Sequence, residues 1–267
     1  MRHKNIITQL VVCIVMFSVL ATLVGICTYR GIDSFKFKAL FGPYVDIYAR
    51  GIYALSSTQS ALQARAQDCI TLFLGIPLLI FSLLKARKNL VVGRILLAAT
   101  LGYFCLTYTT YTFNTIYNRL FLVYVILMST STFAFALSLL SFNYKKASVY
   151  FRKRTPVVPI GCYLMLTSVV IAALWLNQIL PSALRNYIPQ WVEHGATLPI
   201  QAIDLGFVLP ATFITGVLVI KRRSLGYILA PIATFILTFS LTTLLTKQVV
   251  LTLAGNALSI PIIILCT

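Results

Sequence analysis

The chain has 267 residues, of which 59% are hydrophobic and only 10% are charged. A soluble domain carries about 25% charged residues, so the composition excludes an ordinary water-soluble globular protein. The net charge of +17 does not indicate nucleic-acid binding, because the basic residues form short clusters between long apolar segments, as in multi-pass membrane proteins. The sequence therefore predicts a single, all-α domain over residues 1–267, a polytopic bundle of transmembrane helices.

Segments of spanning length, about 20 mostly apolar residues each, predict eight helices. They lie at 6–28, 68–84, 91–111, 120–141, 157–179, 199–220, 225–245 and 248–266. The second is short, so we expect it to begin several residues earlier. The eighth contains Gly255, Asn256 and Pro261. Seven spans followed by a re-entrant or interfacial tail is therefore the alternative.

The basic residues predict the orientation of the bundle. Fourteen of the 22 basic residues, and none of the five acidic ones, fall in segments that alternate to one side, namely 1–5, 85–94, 145–154 and 221–223. The positive-inside rule makes this side cytoplasmic. We therefore expect a plasma-membrane protein with a cytoplasmic N-terminus. The same clusters are expected to contact anionic lipid headgroups, at about 1 kcal/mol for each basic residue near the surface.

The segment 29–67, on the predicted outer face, is too polar and too interrupted to span. Within it, apolar residues recur at helical spacing opposite Asp46 and Arg50. These apolar residues are Tyr44, Ile47, Tyr48, Ile52 and Leu55. The pattern predicts an amphipathic helix lying on the outer leaflet. Residues 56–68 predict a polar helix that continues into the second span, so that 43–66 should be largely helical.

Aromatic residues gather at the outer end of the third predicted helix. They are Tyr103, Tyr108, Tyr111, Phe113 and Tyr117. Tyrosine and tryptophan are enriched where a membrane meets water. The pattern therefore predicts an aromatic belt in the interface.

The six cysteines show no CxxC pair and no metal-ligand spacing. Cys27 and Cys69 fall near the same predicted membrane face, so a disulfide is one interpretation and small apolar helix residues the other. No nucleophile, metal set or acid–base signature emerges. We therefore expect no cofactor and no metal, and an enzyme has the least support of the function classes.

The second and sixth predicted spans share several features. Asp68 precedes Lys85 by 17 residues and Asp204 precedes Lys221 by the same number. Seventeen helical residues extend about 25 Å, which places each aspartate in the outer part of the membrane. A parallel repeat of four helices each is one interpretation. Membrane thickness alone gives the same spacing.

Each of these two spans also contains a proline, Pro77 or Pro210. A proline inside a helix leaves a carbonyl without its usual partner, and in lipid that carbonyl needs another one. The two prolines follow their aspartates by nine and six residues, so the aspartates and the prolines do not align together. We interpret Pro77 and Pro210 as helix breaks.

Asp204 is the main candidate for a functional residue. A charge costs at least about 2.5 kcal/mol at the membrane centre and usually faces a cavity or a partner. The alternative is an outer-end carboxylate that reaches water and stabilises the positive end of the helix dipole. We expect Asp204 to point into the bundle, towards a polar group of the second or third helix. The candidate partners are Asp68, Gln67, Asn114 and Tyr111.

Two function classes fit these features. The first is a small transporter or channel-like protein with an outward-facing polar vestibule. Its lining would be Asp68, Asp204, Gln67, Gln201 and Asn114, and Asp204 would bind a cation or a proton. The second class is a non-transporting sensor, assembly or partner-binding protein that uses segment 29–67. A water-lined cavity past Asp204 favours the first class, and a dry bundle capped by the outer segment favours the second.

Overall fold

The computed structural model describes residues 3–28, 33–38, 44–144, 155–188, 192, 195 and 197–255. Within these ranges seven helices are long and apolar enough to cross a membrane. They are Lys4–Cys27, Thr58–Arg87, Val91–Asn114, Phe121–Leu140, Val157–Arg185, Pro199–Ile220 and Ser224–Leu253. The chain is therefore a multi-pass integral membrane protein, and the predicted helical bundle is confirmed.

Two of the spans are composite, because a π-helical segment interrupts each of them. In chain order the elements are α1 (Lys4–Cys27), β1 (Ser34–Lys38), β2 (Tyr44–Tyr48), α2 (Thr58–Ile70), the first π segment (Thr71–Gly75), α3 (Ile76–Arg87), α4 (Val91–Asn114), α5 (Phe121–Leu140), α6 (Val157–Arg185), α7 (Pro199–Ile203), the second π segment (Asp204–Val208), α8 (Leu209–Ile220) and α9 (Ser224–Leu253). Pro77 and Pro210 stand at the start of α3 and α8. Each proline interpreted as a helix break therefore lies two residues after a π segment, and the span continues through it as an α-helix.

The described residues do not contain the predicted eighth span as a separate helix. Residues 248–253 complete α9, which runs past the predicted end at 245. Residues 256–267 lie outside the described part of the chain. The predicted boundary between the two spans, at 246–247, lies inside α9, and the next residue, Gln248, is buried. Polar residues that face protein do not have to end a helix.

The predicted amphipathic helix over 43–55 is wrong. Residues 44–48 form β2, which pairs antiparallel with β1 from Ser34 opposite Tyr48 to Lys38 opposite Tyr44. Phenylalanine and lysine alternate in β1, and this period of two, with aromatic and β-branched residues, is typical of strands. The polar helix is confirmed from Thr58, where α2 begins and continues into the second span.

The helices pack around two hydrophobic cores. The first core contains side chains of α1 to α5, with Phe104, Tyr108 and Tyr124 among the most deeply buried. The second core lies among α4, α6, α8 and α9. Because α9 contacts α2 and α4 as well as α6 and α8, it joins the two cores.

The basic residues of neighbouring helix ends lie at one end of the bundle, which we call the basic end. At this end Arg87 of α3 donates to Thr8 of α1 at 3.3 Å. Arg94 of α4 donates to the carbonyl of Ser141, which follows α5, at 2.5 Å. The β1–β2 hairpin follows the other end of α1, so we call that end of the bundle the hairpin end.

Candidate functional site

The second span places a carboxylate in the interior of the bundle. Asp68 lies one turn before the first π segment and is only 3% exposed. The hydroxyl of Tyr53 donates to its Oδ2 at 2.5 Å. The hydroxyl of Tyr111 lies 2.9 Å from its Oδ1 and 2.9 Å from the carbonyl oxygen of Ala64. Both carboxylate oxygens therefore have a phenol as donor.

Tyr53 belongs to a segment that closes the site, residues 48–58, which we call the cap. Inside the cap the amide of Tyr48 donates to the carbonyl of Ser56 at 2.8 Å. The amide of Ile52 donates to the hydroxyl of Thr28, beyond the end of α1, at 3.2 Å. The side chain of Ser57 accepts from the amide of Ser60 and caps α2. The cap is thus held by both α1 and α2.

The environment of Tyr53 keeps its hydroxyl protonated. The side chain is 4% exposed. Burial, reinforced by the charge of Asp68, raises the pKa of Tyr53 well above its usual value. The phenol therefore acts as a hydrogen-bond donor to the carboxylate throughout the physiological pH range.

Helix α1 closes the remaining side of the carboxylate. A Cβ atom placed on Gly25 would collide with Oδ2 of Asp68 and would lie 2.9 Å from the Tyr53 hydroxyl. No side chain larger than hydrogen fits here unless Asp68 moves. The glycine is required by this close approach of backbone and carboxylate.

A second polar layer lies beside Asp68, towards the basic end. Gln67 is buried, and its Nε2 donates to the hydroxyl of Tyr103 at 2.6 Å. The same hydroxyl lies 3.1 Å from Oγ1 of Thr71. The ring of Tyr103 packs on Phe239 of α9, with 4.2 Å between centroids. This layer connects α2, the first π segment, α4 and α9.

Charged and polar side chains of other helices also face Asp68. Lys247 of α9 interacts electrostatically with it. Tyr124 of α5 contributes a hydroxyl to the same surroundings, and its ring packs on Tyr111 with 5.1 Å between centroids. The site therefore draws on α1, α2, α4, α5, α9 and the cap.

A small cavity lies between the cap, α1 and α2, with Gly25 and Tyr53 in its wall. Arg50 and Arg65 line it as well. It has room for about one water molecule. Arg50 also pairs with Asp33, with 2.6 Å between Nε and Oδ2. The side of the site that faces the cap is thus closed and nearly dry.

Asp204 has different surroundings. The indole Nε1 of Trp175, in α6, donates to its Oδ2 at 3.0 Å. We expected Asp204 to meet a polar group of the second or third span. This expectation is wrong, because the donor in this hydrogen bond belongs to α6, the fifth span. Asp204 begins the second π segment, which contacts α6. The opposite face of this segment is open, because Gly206 has no atom within 4 Å of an added Cβ and Phe207 is 76% exposed. The carboxylate therefore lies on the protein-facing side of its helix.

The other predicted site residues are distributed unevenly. Asn114 is exposed at the last position of α4, and Gln201 is half-buried in α7. Gln67 lies in the polar layer beside Asp68, and Asp204 has its partner in α6. The structure thus brings Asp68 and Gln67 together in one cluster, and the single vestibule predicted from the sequence is replaced by two sets of partners. Cys27 and Cys69 are free thiols.

Sequence reasoning did not connect Asp68 with the tyrosines that surround it, and it named Tyr111 as a partner of Asp204 only. Tyr103, Tyr108 and Tyr111 were predicted to form an interfacial belt, but they are 3%, 2% and 6% exposed. Phe113 and Tyr117 are exposed, as the belt predicted. The signal for the buried set is its spacing, since residues 103, 107, 108 and 111 follow one face of a helix. Comparison with protein-family models, with curated proteins and with solved structures finds no significant match.

Proposed function

We propose that the protein is a small plasma-membrane transporter in which Asp68 binds and releases a proton. In this proposal the N-terminus is cytoplasmic and the hairpin end is outside. The observation that carries it is the hydrogen bond between the cap and the acid, from Tyr53 to Asp68. Buried ionisable residues in membrane helices commonly mark proton or substrate pathways. In this proposal, protonation or deprotonation of Asp68 changes its hydrogen bond to Tyr53 and so acts directly on the cap.

The surroundings of Asp68 favour a proton over a metal cation. Tyr53 and Tyr111 direct O–H groups at the carboxylate, whereas hard cations bind oxygen lone pairs. Gly25 leaves no space for an ion on the α1 side. A proton needs none of this space.

The first π segment supports a role in movement. It begins three residues after Asp68, and its closing bond runs from the amide of Ile76 to the carbonyl of Thr71. π segments are frequent at functional sites, and a proline at the following turn removes one backbone donor. The span is therefore least regular directly beside the acid. In our proposal this is where the helix changes shape when Asp68 changes its charge.

Proton movement into liposomes tests the proposal. The purified protein is reconstituted with pyranine inside, and a potassium gradient with valinomycin makes the interior negative. We expect the protein to acidify the interior several-fold faster than empty liposomes, and Asp68→Asn to reduce this rate to the empty-liposome level. The matched control is Asp46→Asn in the exposed part of β2, which should retain the rate. An inactive unsubstituted protein, or an active Asp68→Asn variant, overturns the proposal.

A partner-binding protein is the second candidate function. The packed cap and the nearly dry cavity are the features expected of this class. All five residues of β1 are exposed, including Phe35 and Phe37, so the strand offers an aromatic surface to another molecule. If the liposomes show no proton movement, this function becomes the better account of the cap.

A further inference from the structure

The second and third spans of the chain match the sixth and seventh at a constant offset of 133 residues. The offset relates Thr71–Gly75 to Asp204–Val208 and α3 to α8. It also relates Pro77 to Pro210. Two π segments with the same length and the same distance from a proline do not follow from membrane thickness. The prolines, rather than the aspartates, set the alignment of the two parts.

The turns that follow these spans match at the same offset. Asn89 and Arg222 both adopt the left-handed conformation, with φ of 58° and 53°. The third residue of the helix after each turn is a glycine, Gly93 in α4 and Gly226 in α9. A Cβ on Gly93 would lie 2.6 Å from the backbone carbon of Lys85, and one on Gly226 would lie 2.5 Å from that of Leu218. The close helix contacts are therefore equivalent residue by residue.

The first and fifth spans match at an offset of 150. The buried positions of α1 coincide with those of α6 over three turns. The pairs are Ile7 with Val157, Val11 with Gly161, Ile14 with Leu164 and Ser18 with Ser168. The same offset pairs Gly25 with Trp175. We call α1 to α4 the first unit and α6 to α9 the second unit. Gly25 faces Asp68 and Trp175 donates to Asp204, so in each unit this position lies against an acid.

The contacts between the two units are reciprocal, since each unit uses its third helix to contact the second span of the other. The third helix of the second unit, α9, contacts α2. The third helix of the first unit, α4, contacts α7, and α4 and α9 also contact each other. This is the pattern of a two-fold axis that passes between α4 and α9. Because α1 and α6 are both followed by a composite span in the same order, the axis runs along the helices, as in parallel repeats.

From this duplication we propose that Asp204 is a second proton-binding site, the counterpart of Asp68 in the second unit. The two acids stand one turn apart in the aligned units, since Asp68 aligns with Gln201 and Thr71 with Asp204. The inference goes beyond the proposed transport, because it concerns proton binding at Asp204 whatever Asp68 does.

The two sites differ in what neutralises the carboxylate. The connection from α1 to α2 contains the cap and is 17 residues longer than the connection from α6 to α7. Among the described residues of the second unit, the side chain that donates to Asp204 is the indole of Trp175 and not a phenol. The offset of 133 also places Asn114 where the other unit has Lys247. The position that holds a cation in α9 therefore holds an amide in α4. Among the described residues no lysine or arginine forms a salt bridge with Asp204, and a carboxylate at membrane depth that lacks a fixed cation is most easily neutralised by a proton.

The groups packed around Asp204 favour a proton over a metal ion. Trp175 directs an N–H at the carboxylate, and an indole nitrogen donates but does not accept. The second π segment contacts α6, α7 and α8. In these helices the ionisable side chains are Cys162, Tyr163 and Arg185 of α6. Arg185, the closest of them to Trp175 in the sequence, is ten residues away, or about 15 Å along the helix.

Fluorescence of Trp175 tests the proposal without a transport assay. The chain has two tryptophans, Trp175 and Trp191, so Trp191→Phe leaves Trp175 as the reporter. His194→Gln removes a second titrating residue from the α6–α7 connection. We expect the emission of this double variant, in detergent micelles, to follow a one-proton titration curve between pH 4 and 9. Adding Asp204→Asn should abolish the titration.

Controls separate this site from the first one. Adding Asp68→Asn to the double variant should leave the titration of Trp175 unchanged, even if it removes proton transport. Sodium or potassium chloride at constant pH should not change the emission. Where Asp204→Asn lowers the yield, the titration of the double variant itself remains decisive. A flat pH response, a response to salt alone, or a titration that survives Asp204→Asn overturns the proposal.

Discussion

At the scale of single residues, the hydrogen-bond donors around Asp68 determine its role. A buried carboxylate that loses a partner costs more than the average hydrogen bond, because its desolvation is no longer compensated. Tyr53 supplies one donor from the cap and Tyr111 another from α4. The site is thus assembled from residues far apart in the chain, and each donor can be removed by its own substitution.

Replacing Tyr53 with phenylalanine should loosen the cap. The change removes the donor to Oδ2 of Asp68 and keeps the ring. We expect a loss of about 1–3 kcal/mol in stability, and faster hydrogen exchange in residues 48–58. Tyr44→Phe is the matched control, because Tyr44 is 68% exposed. Equal exchange in the two variants would show that the phenol does not hold the cap.

The sequence pointed to Asp68, Asp204 and Gln67, but not to their partners. An acidic residue in an apolar segment can be recognised from the sequence alone, because burying its charge in the membrane is energetically costly and therefore rare. Tyr53 lies in a segment predicted to be helical, and Trp175 lies in an otherwise apolar span. Neither pairing follows from spacing along one helix. Contacts between segments depend on packing, which a single sequence does not show.

At the scale of elements, two glycines bring consecutive helices into close contact. Gly93 lets α4 approach α3, and Gly226 lets α9 approach α8. Hydropathy identified all four helices but gave no reason for these contacts. The error over 43–55 has a related cause, since a few apolar residues fit a helical and an alternating pattern equally well. Pairing with β1 decided between them.

Gly93→Ala and Gly226→Ala should destabilise the protein to a similar degree. In each case the new methyl group meets backbone atoms at 2.5–2.6 Å, and such overpacking costs about 1–3 kcal/mol. The measurement is the thermal unfolding midpoint in detergent. Gly206→Ala is the control, because nothing lies within 4 Å of its added Cβ. A large loss for one glycine and none for the other would argue against equivalent units.

At the scale of the whole molecule, seven helices of spanning length make a bundle, and Arg87 and Arg94 bond to neighbouring helices at its basic end. Segment length and polarity were sufficient to predict these spans, because each helix satisfies its own backbone in lipid. The two-fold relation between the units was only partly visible in the sequence. The aspartates suggested one alignment, while the π segments and glycine contacts give another.

Labelling of single cysteines should establish the orientation of the bundle. In a cysteine-free background, Leu184→Cys places a thiol at the hairpin-end terminus of α6, where the native side chain is 81% exposed. Lys88→Cys places one in the turn at the basic end. We expect an impermeant maleimide to label position 184 in intact cells and position 88 only after permeabilisation. The opposite result would invert the proposed orientation and leave the fold unchanged.

The most direct test of the account is to lock the cap. The amide of Ile52 donates to the side chain of Thr28 at 3.2 Å, between the end of α1 and the cap. Cysteines are introduced at these neighbouring positions in the cysteine-free background and oxidised, and loss of free thiol verifies the cross-link. If Asp68 is a proton site closed by the cap, oxidised protein in liposomes should move no protons, and reduction should restore the rate. Each single-cysteine variant should be insensitive to oxidation. Proton movement that continues at the full rate with the cap cross-linked would contradict the account.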